Sequence, residues 1–156
     1  RRKHRCCFTG HRPEKLKQSE SEIRTALEKE IRTAIADGFV VFITGMARGT
    51  DIWAGETVLR LRSEGAPIKL VCAIPYEGIE RGWKREWQES YRCIIEAADA
   101  VRYICPRYSP DCFQKRNEWM VDRSARVIAV YNGEPGGTRN TIDYAKKKRV
   151  DCISTL

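Results

Sequence analysis

The chain has 156 residues, and its composition, 42% hydrophobic and 32% charged, is ordinary for a soluble globular protein. No apolar run approaches the roughly 18 residues of a membrane span, and no signal peptide is recognised, so we expect one domain over residues 1–156 without membrane contact. The net charge of +8 fits a phosphate-rich partner, either a nucleotide or a nucleic acid, and fits a plain basic surface about equally well.

Strand-like and helix-like segments alternate along the whole chain. The predicted strands are residues 5–9, 39–43, 68–74, 100–105, 126–131 and 150–153. The predicted helices are residues 20–37, 52–62, 83–98, 112–124 and 138–148. Several strands are continuous apolar runs, which is typical of strands covered on both faces. The pattern predicts an α/β fold, a three-layer sandwich around a mostly parallel sheet.

In folds of this kind, ligands bind outside the carboxyl ends of the strands. The loops that follow the strands are therefore the places to search for functional residues. These loops are residues 9–13, 44–51, 75–82, 106–112 and 132–138.

The loop Thr44-Gly-Met-Ala-Arg-Gly-Thr-Asp51 lies between a predicted strand and a predicted helix. Its backbone N–H groups would point at a ligand above the sheet, and such ligands are usually anions. Asp51 would either cap the helix or hold a ribose hydroxyl. The spacing matches neither the dinucleotide fingerprint nor a P-loop. The ligand-binding candidates here are Gly45, Met46, Arg48, Gly49, Thr50 and Asp51.

A second glycine-rich loop, residues 132–138, also joins a strand to a helix. Gly136, Gly137 and Thr138 would present N–H groups and a hydroxyl to an anion, unless the loop is only a flexible connection. Two such loops on the same edge of one sheet strengthen the prediction of a phosphate-type site.

Further candidates come from other loops and one helix. Gly10 would permit close approach of a ligand, Arg12 would pair with phosphate or carboxylate, and His11 would act as an acid or base or simply donate a hydrogen bond. Arg116 and Asn117, near a helix start, would bridge loops to a ligand or bind carbonyl groups structurally.

Some of the remaining residues permit a purely structural interpretation as well as a functional one. Glu56 would contact ribose or occupy a solvated helix position. Tyr76, Trp83 and Trp87 would stack on a base, although the helical spacing of the tryptophans is more typical of a core.

The seven cysteines lack any CxxC pair or other metal-binding spacing. They are best interpreted as reduced thiols in the core of a cytoplasmic protein. We therefore predict no metal site and no bound cofactor.

These motifs resemble the YpsA-type branch of the SLOG superfamily, which also contains DprA and the LOG proteins. The opening Cys7-Phe-Thr-Gly-His-Arg-Pro-Glu-Lys-Leu16 looks like the YpsA-type start, and residues 44–51 are similar to the SGxARGxD motif shared with DprA. Phe113, Arg116 and Asn117 echo a DprA segment, and residues 136–138 stand where the superfamily has its second phosphate loop.

The resemblance implies a Rossmann-like fold that binds a nucleotide-derived ligand, related to ADP-ribose or NAD, through the two glycine loops. Asp51 and Glu56 would be the acidic contacts to ribose. The second loop lacks the PGGxGTxxE pattern of LOG-type phosphoribohydrolases, because Thr138 follows Gly137 directly.

Three functions stay open from the sequence. The first is binding or sensing of a nucleotide-derived small molecule. The second is hydrolysis of an N-glycosidic or phosphate bond in a nucleotide, with Asp51, Glu56, Glu77 and His11 as the available acid or base groups. The third is single-stranded nucleic-acid binding in the manner of DprA. The sequence decides neither whether the chain is an enzyme nor whether it forms a homo-oligomer.

Overall fold

The structure, a computed structural model, describes residues 2–155. It contains six strands: β1 (Arg5–Gly10), β2 (Val41–Thr44), β3 (Lys69–Ile74), β4 (Ala100–Tyr103), β5 (Arg126–Val130) and β6 (Asp151–Ser154). Five α-helices alternate with them: α1 (Glu20–Ala36), α2 (Thr50–Ser63), α3 (Arg85–Ala97), α4 (Cys112–Asp122) and α5 (Gly137–Lys147).

The six strands form one sheet in the order β4-β3-β2-β1-β5-β6, and every neighbouring pair is parallel. The chain runs outward from β1 to β4, then returns to place β5 on the other side of β1. The strand order therefore reverses between β1 and β5, where a crevice opens at the carboxyl ends of the strands. The predicted α/β, Rossmann-like architecture is confirmed.

Side chains of each central strand alternate between two apolar cores. On β1, Cys6 and Phe8 face a core that includes buried residues of α1, α2 and α3, whereas Cys7 faces a core with Met120 of α4 and Ala145 of α5. The layers are therefore three helices, the sheet and two helices. This explains why the strands appear in the sequence as unbroken apolar runs.

Helix α1 shows how local sequence positions these layers. Ser19 accepts a hydrogen bond from the backbone N–H of Glu22, and the Glu22 side chain accepts one from the backbone N–H of Ser19. Such a capping box stabilises a helix start by about 1 kcal/mol. The fully buried side chains of Ile23, Leu27 and Ile31 recur every four residues and attach the helix to the sheet.

All the predicted strands and helices are present, and none of their ends is displaced by more than two residues. β2 begins at Val41 rather than at Phe39, whose backbone N–H instead donates to the carbonyl of Ala34 at the end of α1. Within residues 2–155, no helix combines the length and the apolar character required to cross a membrane.

Candidate functional site

A cavity of about 350 Å³ lies at the crevice between the carboxyl ends of β1 and β5. The loops after β1, β2 and β5 surround it, together with the first half of α4. Its lining residues are Phe8, Thr9, Gly10, His11, Arg12, Lys15, Ala47, Asp51, Phe113, Arg116, Asn117, Gly136, Gly137 and Thr138.

Most of the candidate residues from the sequence meet at this cavity. Those that line it are Gly10, His11, Arg12, Asp51, Arg116, Asn117, Gly136, Gly137 and Thr138. Those that lie outside its lining are Gly45, Met46, Arg48, Gly49, Thr50 and Glu56. Residues of both glycine loops thus line one cavity.

Asp51 and Arg116 form the charged floor of the cavity, each only 5% exposed. Oδ2 of Asp51 accepts a hydrogen bond from the backbone N–H of Ala47 at 3.2 Å, whereas Oδ1 is buried without a partner among residues 2–155. Burial raises the pKa of Asp51 to about 6, although the Arg116 charge and the Ala47 N–H oppose the shift. The carboxylate is thus poised to accept a further hydrogen bond.

Arg116 is held by two neighbouring groups rather than by a direct ion pair. Its Nε donates to Oδ1 of Asn117 at 2.8 Å, and its Nη1 donates to the carbonyl of Gly45. Burial lowers the pKa of Arg116, and the carboxylate of Asp51 acts against that shift. The fixed guanidinium places positive charge at the cavity floor.

Gly45 permits this arrangement because it has no side chain. A Cβ atom at this position would lie 2.9 Å from both Nη1 of Arg116 and Oδ2 of Asp51. Gly45 therefore supports the cavity from beneath although it does not line it.

Gly10 brings the end of β1 against the start of α2. A Cβ atom there would lie 2.3 Å from Oγ1 of Thr50, so only glycine permits this approach. Thr50 is buried beneath Gly10, and its hydroxyl oxygen has no partner within the described chain. Gly49, at the N-terminal end of α2, packs against the carbonyl of His11 and the ring of Pro13 in the same way.

His11 forms one wall of the cavity. Its ring stacks on Tyr131 with 5.6 Å between the ring centres, and its Nε2 is buried without a partner in the part of the chain described. Burial and the nearby charge of Lys15 lower the pKa of His11, while Glu134 and Asn132 oppose the shift. A neutral imidazole at pH 7 would offer this nitrogen to a ligand as a donor or an acceptor.

The second glycine loop forms the outer wall. A Cβ atom added at Gly136 or Gly137 would meet no atom within 4 Å. Thr138, in the first turn of α5, is buried and lines the cavity. The N-terminal end of α5, with its free N–H groups and positive dipole, thus lies at the outer side of the cavity.

Two sequence candidates have other surroundings. Met46 is fully buried in the core on the side of α1 to α3, with a left-handed backbone at φ 62°. Arg48 forms a 2.7 Å ion pair with Glu14. The structure therefore places neither side chain in the cavity.

Glu56 faces α1 rather than the sheet edge and forms a 2.6 Å ion pair with Arg24. It lines a larger groove of about 590 Å³ between α1 and α2, where a second ion pair joins Arg60 to Glu28. The charges in this groove pair with one another, so it resembles a solvated helix interface more than a ligand site.

The predicted aromatic residues also separate. Trp83 packs against Tyr91, and Trp87 packs against Trp53, both at the edge of a core, as their helical spacing indicated. Tyr76 does not line the cavity but contacts Phe113, which does.

Sequence reasoning missed five lining residues, which are Phe8, Thr9, Lys15, Ala47 and Phe113. Lys15 stands three residues after Arg12 in a short 3-10 turn, so a helical spacing after Pro13 was the signal for it. Ala47 and Phe113 lie in segments already singled out, but their own chemistry gave no reason to select them.

The lining suits a ligand that has both anionic and hydroxyl groups. Positive charge comes from Arg12, Lys15 and Arg116, and the one carboxylate in the lining is Asp51. The N-terminal end of α5 adds N–H groups suited to phosphate. Among residues 2–155, no group of three or more His, Cys, Asp or Glu side chains is arranged to hold a metal ion.

Comparison with known proteins gives the family. The family model YpsA, described as "YspA SLOG family", matches residues 6–152. A UPF0398 protein of Bacillus thuringiensis (strain Al Hakam) is 31% identical over 149 residues, which cover 90% of this chain and 81% of that protein. A UPF0398 protein of Bacillus cereus (strain G9842) matches with the same identity and coverage.

Solved structures share the fold. DNA processing protein A (DprA) from Streptococcus pneumoniae superposes with a TM-score of 0.68 at 17% identity over 96% of this chain, which spans about half, 49%, of that protein. DprA from Helicobacter pylori gives a TM-score of 0.65 at 18% identity, covering 95% of this chain and 63% of that one. With the family match over nearly the whole length, these findings show that the chain belongs to the YpsA family of SLOG proteins.

Proposed function

We propose that the chain binds a nucleotide-derived small molecule, of the ADP-ribose or NAD type, in the cavity between β1 and β5. The observation that carries this proposal is Oδ1 of Asp51, a buried carboxylate oxygen without a partner among residues 2–155, on a side chain that lines the same cavity as Arg116. A buried acceptor left unpaired costs about 1–3 kcal/mol, so a ligand hydroxyl that binds it would recover that energy.

Each part of such a ligand has a suitable contact. A ribose hydroxyl would donate to Asp51. Phosphate groups would lie near the N–H groups of Gly137 and Thr138, and near the side chains of Arg12 and Lys15. The positive net charge of +8 would attract an anionic ligand from a distance.

Calorimetric titration at pH 7 with ADP-ribose, NAD, AMP and ribose 5-phosphate tests the proposal. Asp51→Asn should weaken binding of the best ligand by about 10- to 100-fold, the value of a hydrogen bond to a charged group. Glu56→Gln is the matched control, because Glu56 lies on the same helix but outside the cavity. It should leave the affinity unchanged.

The proposal fails if none of the four compounds binds, or if both variants bind the best one as tightly as the unaltered protein does. Circular dichroism of both variants confirms that loss of binding is not loss of folding.

Hydrolysis of the bound nucleotide is a second candidate, because the pKa of Asp51 near 6 suits a general acid or base at neutral pH. Incubation with each nucleotide, followed by chromatography, would then show release of free base or phosphate. That release should disappear in Asp51→Asn and persist in Glu56→Gln; its absence with all the nucleotides would leave binding alone.

Single-stranded nucleic acid is a third candidate, favoured by the exposed Arg12 and Lys15 at the cavity mouth. The solved H. pylori structure is described by its single-stranded DNA binding mode. A labelled oligothymidine should then bind, and its affinity should fall steeply between about 50 and 200 mM salt. An oligonucleotide that does not compete with the best small ligand would argue against a shared site.

A further inference from the structure

One part of the sheet is not covered by any helix of residues 2–155. The face that carries α4 and α5 has two helices for six strands, whereas parallel sheets usually have both faces covered. Over the first halves of β2, β3 and β4, an open groove of about 470 Å³ replaces a helix. Its floor contains Val41, Ile43 and Val71, and Trp119 of α4 forms one wall.

The rim of this groove is basic. Arg5, Lys69, Arg102 and Arg123 surround it, and none of the four has an ion-pair partner among residues 2–155. The guanidinium of Arg123 lies 4.1 Å from the centre of one ring of Trp119. The groove therefore combines an apolar floor with unpaired positive charge.

The single acidic side chain in the groove is already engaged. Oδ2 of Asp99 accepts hydrogen bonds from Nη1 of Arg62 at 2.6 Å and from the backbone N–H of Leu70 at 2.9 Å. These partners hold the pKa of Asp99 below its usual value against the opposing effect of burial. Asp99 is therefore a structural tie between β3 and α2, and although the charge of Lys69 also acts on it, one carboxylate stands beside four cations.

From this combination we propose that the groove is a docking site for an acidic amphipathic helix of a separate protein. The apolar stripe of such a helix would cover Val41, Val71 and Trp119 in place of the missing helix layer. Glutamate or aspartate side chains beside the stripe would pair with the four cations of the rim.

The charges argue against a second copy of this chain as the occupant. In a two-fold contact each patch meets itself, so four unpaired cations would face four more. The floor argues against nucleic acid, because three aliphatic side chains offer nothing to phosphates. Arg123 already covers a face of Trp119 that would otherwise stack on a base.

The groove lies at the opposite end of the sheet from the candidate ligand cavity. Arg5, Val41, Lys69 and Ala100 are first residues of their strands, whereas the cavity lies where strands end. The two sites share no lining residue. Docking here is therefore independent of the proposed nucleotide binding and can be tested separately.

Fluorescence anisotropy with a labelled helical peptide of about 14 residues tests the docking site. The peptide carries leucines at positions i, i+3, i+4, i+7 and i+11 with glutamates beside them. A second peptide of identical composition has the leucines permuted so that no stripe forms. The first should bind at least about tenfold more tightly than the second, since only it can cover the floor.

Two protein variants and one control locate the binding. Lys69→Glu/Arg102→Glu reverses half of the rim and should weaken binding at least about tenfold. Val71→Thr makes the floor polar at nearly constant shape and should weaken it several-fold. Lys29→Glu/Lys84→Glu makes the same charge change on exposed residues near α1 and α3, and should leave the affinity within about twofold.

The proposal is wrong if the two peptides bind equally, if neither binds, or if the rim reversal weakens binding no more than the control does. Sedimentation velocity separates one alternative: a dimer that dissociates in Lys69→Glu/Arg102→Glu would make the groove an interface between copies. Labelled DNA that binds the groove while the peptide does not would instead identify a nucleic-acid surface.

Discussion

The two glycine loops of the cavity are built in opposite ways. In the loop over residues 44–51, Gly45 is enclosed by Arg116 and Asp51, and any side chain there would collide with them. In the loop over residues 132–138, Gly136 and Gly137 face open space. Similar strand–glycine–helix patterns in sequence thus produce one packed wall and one open wall.

This difference suggests a division of labour within the cavity. The packed loop fixes the positions of a carboxylate and a guanidinium before any ligand arrives, which reduces the entropy lost on binding. The open loop presents backbone N–H groups that can adjust to phosphate groups of different position. A change at Gly45 should therefore alter stability, whereas a change at Gly137, where the space is open and the backbone is helical, should alter binding alone.

The largest expected effect comes from Arg116→Met, which leaves Asp51 buried without its nearest positive charge. At pH 8 we expect a loss of about 3–5 kcal/mol in the free energy of unfolding, because the buried carboxylate of Asp51 loses the charge that opposes its desolvation and the hydrogen bonds of Arg116 to Asn117 and Gly45 are lost as well. The loss should shrink toward pH 5, because Asp51 then takes up a proton and its charge disappears. Urea denaturation at the two pH values measures both effects.

The double variant Asp51→Asn/Arg116→Met serves as the control, because it removes both charges. It should be more stable than Arg116→Met alone at pH 8 and lose the pH dependence. If Arg116→Met loses the same free energy of unfolding at pH 5 and at pH 8, the lost hydrogen bonds to Gly45 and Asn117 are the main cause instead.

The second largest effect is expected for Asp51→Asn alone, which should raise the free energy of unfolding rather than lower it. Folding raises the pKa of Asp51 from 3.8 to about 6, so the folded state holds this proton more tightly than the unfolded chain does. The stabilising contribution of this group is therefore complete below about pH 4 and is lost as the pH rises toward 6. At pH 7 the variant should be about 2–3 kcal/mol more stable than the unaltered protein.

Unfolding free energies at pH 4 and pH 7 check this prediction. The gain should be near zero at pH 4, where asparagine and protonated aspartic acid are both neutral. Equal gains in the free energy of unfolding at both pH values would show that burial does not destabilise the charged carboxylate of Asp51. A more stable protein with weaker ligand binding would indicate a site that sacrifices stability for function.

The smallest effect is expected when one methyl group is added to each glycine loop in turn. The two variants compare the loops directly. Gly45→Ala should lower the free energy of unfolding by about 1–2 kcal/mol, because the new Cβ displaces Arg116 and Asp51. Gly137→Ala should change it by less than about 0.5 kcal/mol, since the space is open and the backbone is helical. Thermal denaturation of the pair measures this contrast, and equal losses would contradict it.

The sequence predicted the fold well because the physical signals are local and strong. Apolar runs that end at glycine or proline mark the strands, and the stripe Ile23, Leu27, Ile31 marks the first helix. Strand order is a property of the whole sheet, so the reversal between β1 and β5 could not be obtained from any single segment.

The site was predicted less completely, for geometric reasons. Glu56 follows Asp51 by five residues on one helix, and five steps of about 100° turn it away from the cavity. The sequence did not decide whether Arg116 contacts a ligand or a backbone carbonyl group. In the structure it binds the carbonyl of Gly45 and lines the cavity as well.

The position of β1 in the sheet also affects how the molecule folds. Cys6 on β1 pairs with Arg126 on β5, about 120 positions later in the chain. Contacts between such distant segments form late and slow the folding of a chain. During synthesis one edge of β1 can pair with β2, but the other edge stays unpaired until β5, in the last third of the chain, has been made. The crevice between the two strands opens only when that third has docked, so a bound ligand would select molecules that have finished folding.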